Sequence, residues 1–153
     1  MSNAPERPLT TLPNQVDCSI AATLGIIGDR WTLLILRDAF RGARRFSQFQ
    51  EDLGIAKNLL SDRLRKLVDA GVLERVPYQD RPVRCEYVLT DKGQDLSPAL
   101  ISLMKWGDRW FADGKPPTVL IHDRCGTPLV QRVLCPECDE AVVHENIRSR
   151  KND

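Results

Sequence analysis

Apolar side chains recur every three to four residues through the first half of the chain, and each run is closed by a residue that stops a helix. Ile20, Leu24 and Ile27 fall on one stripe, with Asp17 as the expected N-cap and Gly28 as the stop. Asp29 is placed to cap a second helix, in which Trp31, Leu34, Ile35 and Phe40 give the apolar stripe. Arg37 and Asp38 lie towards its polar side, and Gly42 ends it. A short third helix opens at Ser47, with Gln50 completing a capping box and Phe49 and Leu53 one turn apart facing inward. Gly54 ends it, Ile55 plugs the corner, and another helix follows at once, so the pattern predicts a helix-turn-helix.

The fourth helix is predicted from Ala56 to Ala70, with Leu60, Leu64, Leu67 and Val68 on the buried side and Gly71 at its end. Asn58, Asp62, Arg65 and Lys66 lie opposite the leucines, flanked by Lys57 and Ser61. Strand-forming residues then run from Val72 to Tyr78 and from Cys85 to Leu89. Gln79, Asp80, Arg81 and Pro82 make a turn between them, and Arg75, Arg81 and Arg84 put guanidinium groups on or near the tip. Thr90 or Asp91 caps a long last helix carrying Leu96, Leu100, Leu103 and Trp110, with Met104 and Trp106 beside them; Pro98 is tolerable only in its first turns. That apolar face is wider than a small domain covers, which points to a subunit contact. The expected fold is α+β and mainly helical: a winged helix-turn-helix with a long dimerisation helix and a small β-rich C-terminal tail. Residues 1–16, rich in proline, read as a flexible arm, 17–112 as the winged-helix and dimerisation domain, and 113–153 as the tail.

Hydrophobic content of 42% and charged content of 28% are those of a globular chain. No apolar run reaches the length of a membrane span, and Met1 to Gln15 lacks the pattern of a secretory signal, so a cytoplasmic protein is expected. A net charge of +1 says little about nucleic acid, but its distribution does: between Arg37 and Arg84 there are 11 Lys or Arg against 7 Asp or Glu. The positive field sits where phosphates would use it.

A solvated polar face alone would explain the charges of the fourth helix; a helix-turn-helix followed by a basic hairpin instead points to double-stranded DNA. Lys57 and Arg65 are then candidates for phosphate positioning, Asn58 and Ser61 for base reading, and Arg81 and Arg84 for phosphate or minor-groove contact. Cys18, near the positive end of the first helix, is a candidate redox-sensing thiol, with ordinary packing as the plain alternative. In the tail, His122 and Cys125 are spaced like Cys135 and Cys138, a pattern that fits a structural zinc ion, though a tail packed on a partner subunit with reduced thiols is also consistent. An odd cysteine count, five, speaks against a secreted disulfide framework. No nucleophile elbow, phosphate-binding glycine loop or paired-histidine helix is present, so no enzyme is expected. The competing reading from another class is a metal- or redox-responsive protein-interaction module built on a winged helix.

Several blocks occur together in one order: Gly28-Asp29-Arg30-Trp31-Thr32-Leu33-Leu34-Ile35-Leu36-Arg37, Arg45-Phe46-Ser47, and Asn58-Leu59-Leu60-Ser61-Asp62-Arg63-Leu64. They are followed by Pro82-Val83-Arg84-Cys85-Glu86-Tyr87, Leu89-Thr90-Asp91-Lys92-Gly93 and Trp106-Gly107-Asp108-Arg109-Trp110. From about Cys18 to Phe111 this order resembles the HxlR family of bacterial regulators. The resemblance implies a MarR-like winged helix that binds a palindromic operator as a homodimer, more often as a repressor, in some members sensing oxidants or electrophiles through a cysteine at the position of Cys18. Cys85 departs from the family, where an aliphatic residue is usual, and packs as a small hydrophobe.

Overall fold

A computed structural model describes residues 18–150, so the arm assigned to 1–16 and the Asp17 cap lie outside the described residues. Within them the order is α1 (Ser19–Ile27), α2 (Arg30–Phe40), α3 (Phe46–Leu53), α4 (Lys57–Asp69), β1 (Leu73–Asp80), β2 (Val83–Leu89), α5 (Asp91–Gln94) and α6 (Ser97–Phe111). The chain divides into two compact units, one ending at Ser97 and one beginning at Pro98. No single described helix is long and apolar enough to cross a membrane.

The first unit is a winged helix-turn-helix. Its core is a single cluster: Ile35 and Leu36 from α2, Phe49 from α3, Ile55 from the turn, Leu60, Leu64 and Leu67 from α4, and Val72 and Leu73 at the start of the wing, all 3% exposed or less. The helical stripes of the sequence do this work, with Leu36 rather than Leu34 taking the central place on α2. Asp38 departs from expectation. It is buried, not on the polar side, with one carboxylate oxygen 2.8 Å from the Arg37 guanidinium. The stripe of α1 forms as read, yet Ile20 and Leu24 are exposed and only Ile27 is buried.

Helix boundaries show how local chemistry sets the frame. Asp29 caps α2 as expected: its carboxylate accepts the backbone N–H groups of Trp31 at 3.1 Å and Thr32 at 3.2 Å, and also the Thr32 hydroxyl. The cap of α3 lies earlier than expected. Arg45 holds the N-cap position and has no side-chain acceptor, so Gln48, not Gln50, satisfies the exposed donors: its Oε1 accepts the N–H of Arg45 at 2.9 Å and of Arg44 at 3.0 Å. Gly54 closes α3 at φ 60°, which sharpens the turn into α4.

β1 and β2 form an antiparallel hairpin with Arg81 and Pro82 as its connection, a tighter tip than the four residues expected. Tyr78 is bulged out of the ladder, for Pro77 pairs with Cys85 and Gln79 with Arg84. Arg75 pairs with Tyr87 and so stands well down the hairpin, leaving Arg81 and Arg84 at the tip.

The expected single last helix is two. Thr90 caps the short α5, accepting the Gly93 N–H at 3.1 Å, and the chain turns at Asp95 and Leu96 before α6 begins. Pro98 then falls in the first turn of α6, where its missing N–H costs nothing, which is why the helix must restart there. The Thr90–Gly93 segment also fastens the end of α4. The Thr90 hydroxyl donates to Gly71 O at 2.6 Å, its N–H to Val72 O at 3.2 Å, and Lys92 Nζ to Ala70 O at 2.8 Å. Gly93 is pressed against this corner so closely that a Cβ there would lie 2.2 Å from Val72 O.

In the second unit, α6 is followed by a segment held by two isolated antiparallel bridges, Ile121 with Pro128 and Leu134 with Ala141, and a 3-10 turn at His144–Asn146. The β character foreseen for the tail takes the form of these bridges rather than extended strands.

Candidate nucleic-acid interface

The leucines of α4 fix what its other side presents. With Leu60, Leu64 and Leu67 wholly buried, the 3.6-residue period leaves Lys57, Asn58, Ser61 and Arg65 exposed on the outward side of the helix. Three of these four make no ion pair or side-chain hydrogen bond among the described residues; Arg65 leans on Asp62 at 2.6 Å.

Asp62 organises the middle of the face. Its carboxylate lies 2.6 Å from both Arg63 and Arg65 and 3.6 Å from Lys66. Partial desolvation pushes the Asp62 carboxyl up, but the charges of Lys66, Arg65 and Arg63 outweigh it and hold its pKa below the ordinary value. The cluster therefore carries a net positive charge with its cations held in place. Arg63 turns the other way: its Nε lies 3.0 Å from the Asp29 carboxylate, tying α4 to the start of α2.

The wing tip is shaped by Gln79, whose amide nitrogen donates to the carbonyls of Arg81 at 3.2 Å and Pro82 at 3.1 Å. Arg81 and Arg84 are exposed, and neither makes an ion pair among the described residues. An open groove runs between the start of α3 and the wing, lined by Arg45, Phe46, Arg75, Tyr78, Arg84 and Cys85. Arg45 was not singled out from sequence as a site residue. Its guanidinium stacks 4.6 Å from the Tyr78 ring centre and lies 3.2 Å from Glu86 Oε1, while the Arg44 carbonyl accepts the Tyr87 N–H at 2.7 Å. Together these contacts fasten the wing to the helix-turn-helix. The only advance signal was the adjacent pair Arg44-Arg45 before α3, since Tyr78 and Glu86 are remote in sequence.

Cys18 stands away from this surface in the chain order, at the N-cap of α1, exposed and with a free thiol. In the tail, His122 Nδ1 lies 3.2 Å from Cys125 Sγ. Thr127, through its hydroxyl and its N–H, pulls the Cys125 thiol below its ordinary pKa; the N–H groups of Cys138 and Glu137 do the same for Cys135. Among the described residues no three metal-ligating side chains gather at one point.

Comparison with known proteins decides the family. The HxlR-like helix-turn-helix family matches residues 26–115, more than half of the chain. This chain belongs to the HxlR-like helix-turn-helix family. Among relatives of this HxlR-like protein is the HTH-type transcriptional regulator Rv3095 of Mycobacterium tuberculosis, itself uncharacterised, 45% identical over 130 residues that cover 84% of this chain and 82% of the relative. Among solved structures, PA1607, a candidate transcription factor, is 38% identical with a TM-score of 0.81 over 90% of this chain and 97% of its own. The redox regulator HypR in its reduced form is 28% identical with a TM-score of 0.56, over 62% of this chain and 97% of its own. The protein is thus a transcriptional regulator with a helix-turn-helix DNA-binding domain.

Proposed function

We propose that this HxlR-like regulator is a cytoplasmic homodimer that reads a palindromic operator through the outward face of α4 and represses the promoter it occupies. The observation that carries the reading is the exposure of Lys57, Asn58, Ser61 and Arg65 opposite three fully buried leucines, beside a wing whose Arg81 and Arg84 are free for phosphate. Asn58 and Ser61 offer hydrogen-bonding groups to base edges in the major groove; Lys57, Arg65, Arg81 and Arg84 supply backbone contacts. The groove lined by Arg45, Arg75 and Arg84 suits a flanking phosphate.

Dimerisation is supported by α6, where Leu103, Trp106, Trp110 and Phe111 are all more than half exposed. Apolar area of that kind on a helix is the usual substance of an obligate contact, and two copies of α4 on one two-fold axis match a palindrome. A redox-responsive form of the same function is supported by the exposed thiol of Cys18 at a helix start and by similarity to HypR. The test is a gel shift on the protein's own promoter region with polyanion competitor, repeated as a salt titration with Arg65→Ala. A shift that survives competitor, and a shallower salt dependence in the variant, are expected. A shift abolished by competitor, or an unchanged salt slope and affinity, contradicts the reading.

A further inference from the structure

Two loops in the tail have the same backbone. His122 and Cys135 are thirteen residues apart in sequence, and around each the chain repeats one set of hydrogen bonds. His122 N–H donates to Thr127 O at 2.9 Å, as Cys135 N–H donates to Glu140 O at 3.0 Å. Gly126 N–H donates to His122 O at 2.7 Å, as Asp139 N–H donates to Cys135 O at 2.9 Å. Leu129 N–H reaches Leu120 O and Val142 N–H reaches Val133 O, both at 2.8 Å, and the bridges Ile121–Pro128 and Leu134–Ala141 occupy matching places. Even the left-handed residue recurs, Gly126 at φ 70° and Asp139 at φ 53°. Asp tolerates this conformation, so the lack of a second glycine leaves the loop intact.

What the two loops share in sequence is donor chemistry: a soft or borderline ligand at the first position and a cysteine three residues on. In the first loop the two donors face each other, His122 Nδ1 and Cys125 Sγ at 3.2 Å; in the second, Cys138 follows Cys135 at the same spacing in the same backbone. All three cysteines are free of disulfides.

Backbone hydrogen bonds and two bridges hold the segment among the described residues, with no core of its own. Among the described residues from Ser97 onward none is buried, and Ile121, Val130, Val133, Leu134 and Val143 are more than half exposed. A segment without a core is commonly stapled by disulfides, a bound metal or a partner chain, and these cysteines form no disulfide.

We propose that His122 and Cys125 of one loop and Cys135 and Cys138 of the next bind a single Zn2+ in a tetrahedral site within one chain. The His122–Cys125 pair already meets, and binding draws the second loop onto the first through the Thr127–Leu134 connection. Three thiols give their protons to solvent as the thiolates bind, the imidazole binds neutral, and no electrons move. The site is independent of the DNA-reading face of α4, so a regulator that binds DNA normally and carries no zinc would refute this inference alone.

The experiment uses the full chain purified without chelator, with metal content by elemental analysis and ions per chain by native mass spectrometry. About one zinc per chain is expected. Replacement by Co2+ is expected to give tetrahedral ligand-field absorption with a sulfur-to-cobalt charge-transfer band, and zinc to slow tryptic cleavage after Arg124 and Arg132. Cys138→Ser loses the ion, whereas Cys85→Ser, in the winged-helix unit, keeps it. Less than about half an equivalent after zinc loading, one ion shared between two chains, or a Cys138→Ser protein with undiminished zinc overturns the proposal. Should Cys138→Ser be insoluble, the cobalt spectrum of the unaltered chain decides, and absence of the charge-transfer band overturns it.

Discussion

Replacing Gly93 with alanine tests the corner that joins the end of α4 to the wing. An added Cβ would lie 2.2 Å from Val72 O and 3.0 Å from Leu89 Cδ2, so the contact must open by about 1 Å to reach ordinary van der Waals separation. Neither side is free to move. The Val72 carbonyl accepts the Thr90 N–H, the Thr90 hydroxyl holds Gly71 O, and Lys92 holds Ala70 O. Overpacking of this kind costs about 1–3 kcal/mol, and weakening one such hydrogen bond adds about 1 kcal/mol. The better helix propensity of alanine offsets about 1 kcal/mol, leaving a net loss of about 2 kcal/mol. For a chain of this size that lowers Tm by about 4–8 °C. Gly25→Ala in α1, where an added Cβ meets nothing within 4 Å, is the matched control and should be neutral or stabilising. Urea and thermal unfolding of both variants give the answer; a Gly93→Ala protein as stable as the parent would refute the close packing of this corner.

Two further outcomes follow from the geometry. Thr32 hydrogen bonds and Arg63 hold the Asp29 carboxyl below its ordinary value of 3.8 against the opposing effect of desolvation, so its contribution is fully present above pH 3.8 and fades as pH falls through the lowered value. Asp29→Asn should therefore lower Tm near neutrality, with the gap to the parent narrowing in acid; a gap that is constant with pH would contradict the charge-based role. Trp106→Glu with Trp110→Glu, placing charges on the exposed apolar face of α6, should give a monomer in sedimentation velocity and weaken operator binding at least about tenfold, whereas an unchanged dimer would move the subunit contact elsewhere.

Residues whose effect is local were legible in the sequence. Asp29 caps α2 because a carboxylate at that position reaches N–H groups only two and three residues on. The leucines of α4 declared both the core and, by their period, the face that carries Lys57, Asn58, Ser61 and Arg65. What failed depended on choices between neighbours or on distant chain. Gln48 displaced Gln50 because Arg45, lacking an acceptor, sits at the cap, and Ser47, the residue that marked the start in sequence, lies inside the helix just after Phe46. The break between α5 and α6 at Asp95 and Leu96 has no glycine, and only Pro98 hinted at it. Arg45 meeting Tyr78 and Glu86 depends on a bulge at Tyr78 that no local pattern announces. Asp38 looked like a surface charge and is buried, since the register of α2 turns it inward on the side that carries Ile35. The tail is the reverse case: its ligand spacing was visible, while the repetition of one backbone around His122 and Cys135 was not, because the loops share almost no other residue.

The central claim is that the outward face of α4 reads bases. Selection of bound sequences from a random duplex pool, by the parent protein and by Asn58→Ala with Ser61→Ala, tests it most directly. The parent should enrich a two-fold symmetric motif, and the variant should lose preference at symmetric positions by about 1–3 kcal/mol per base pair while keeping its salt-dependent affinity for bulk DNA. An identical motif from both proteins would place sequence reading somewhere other than α4.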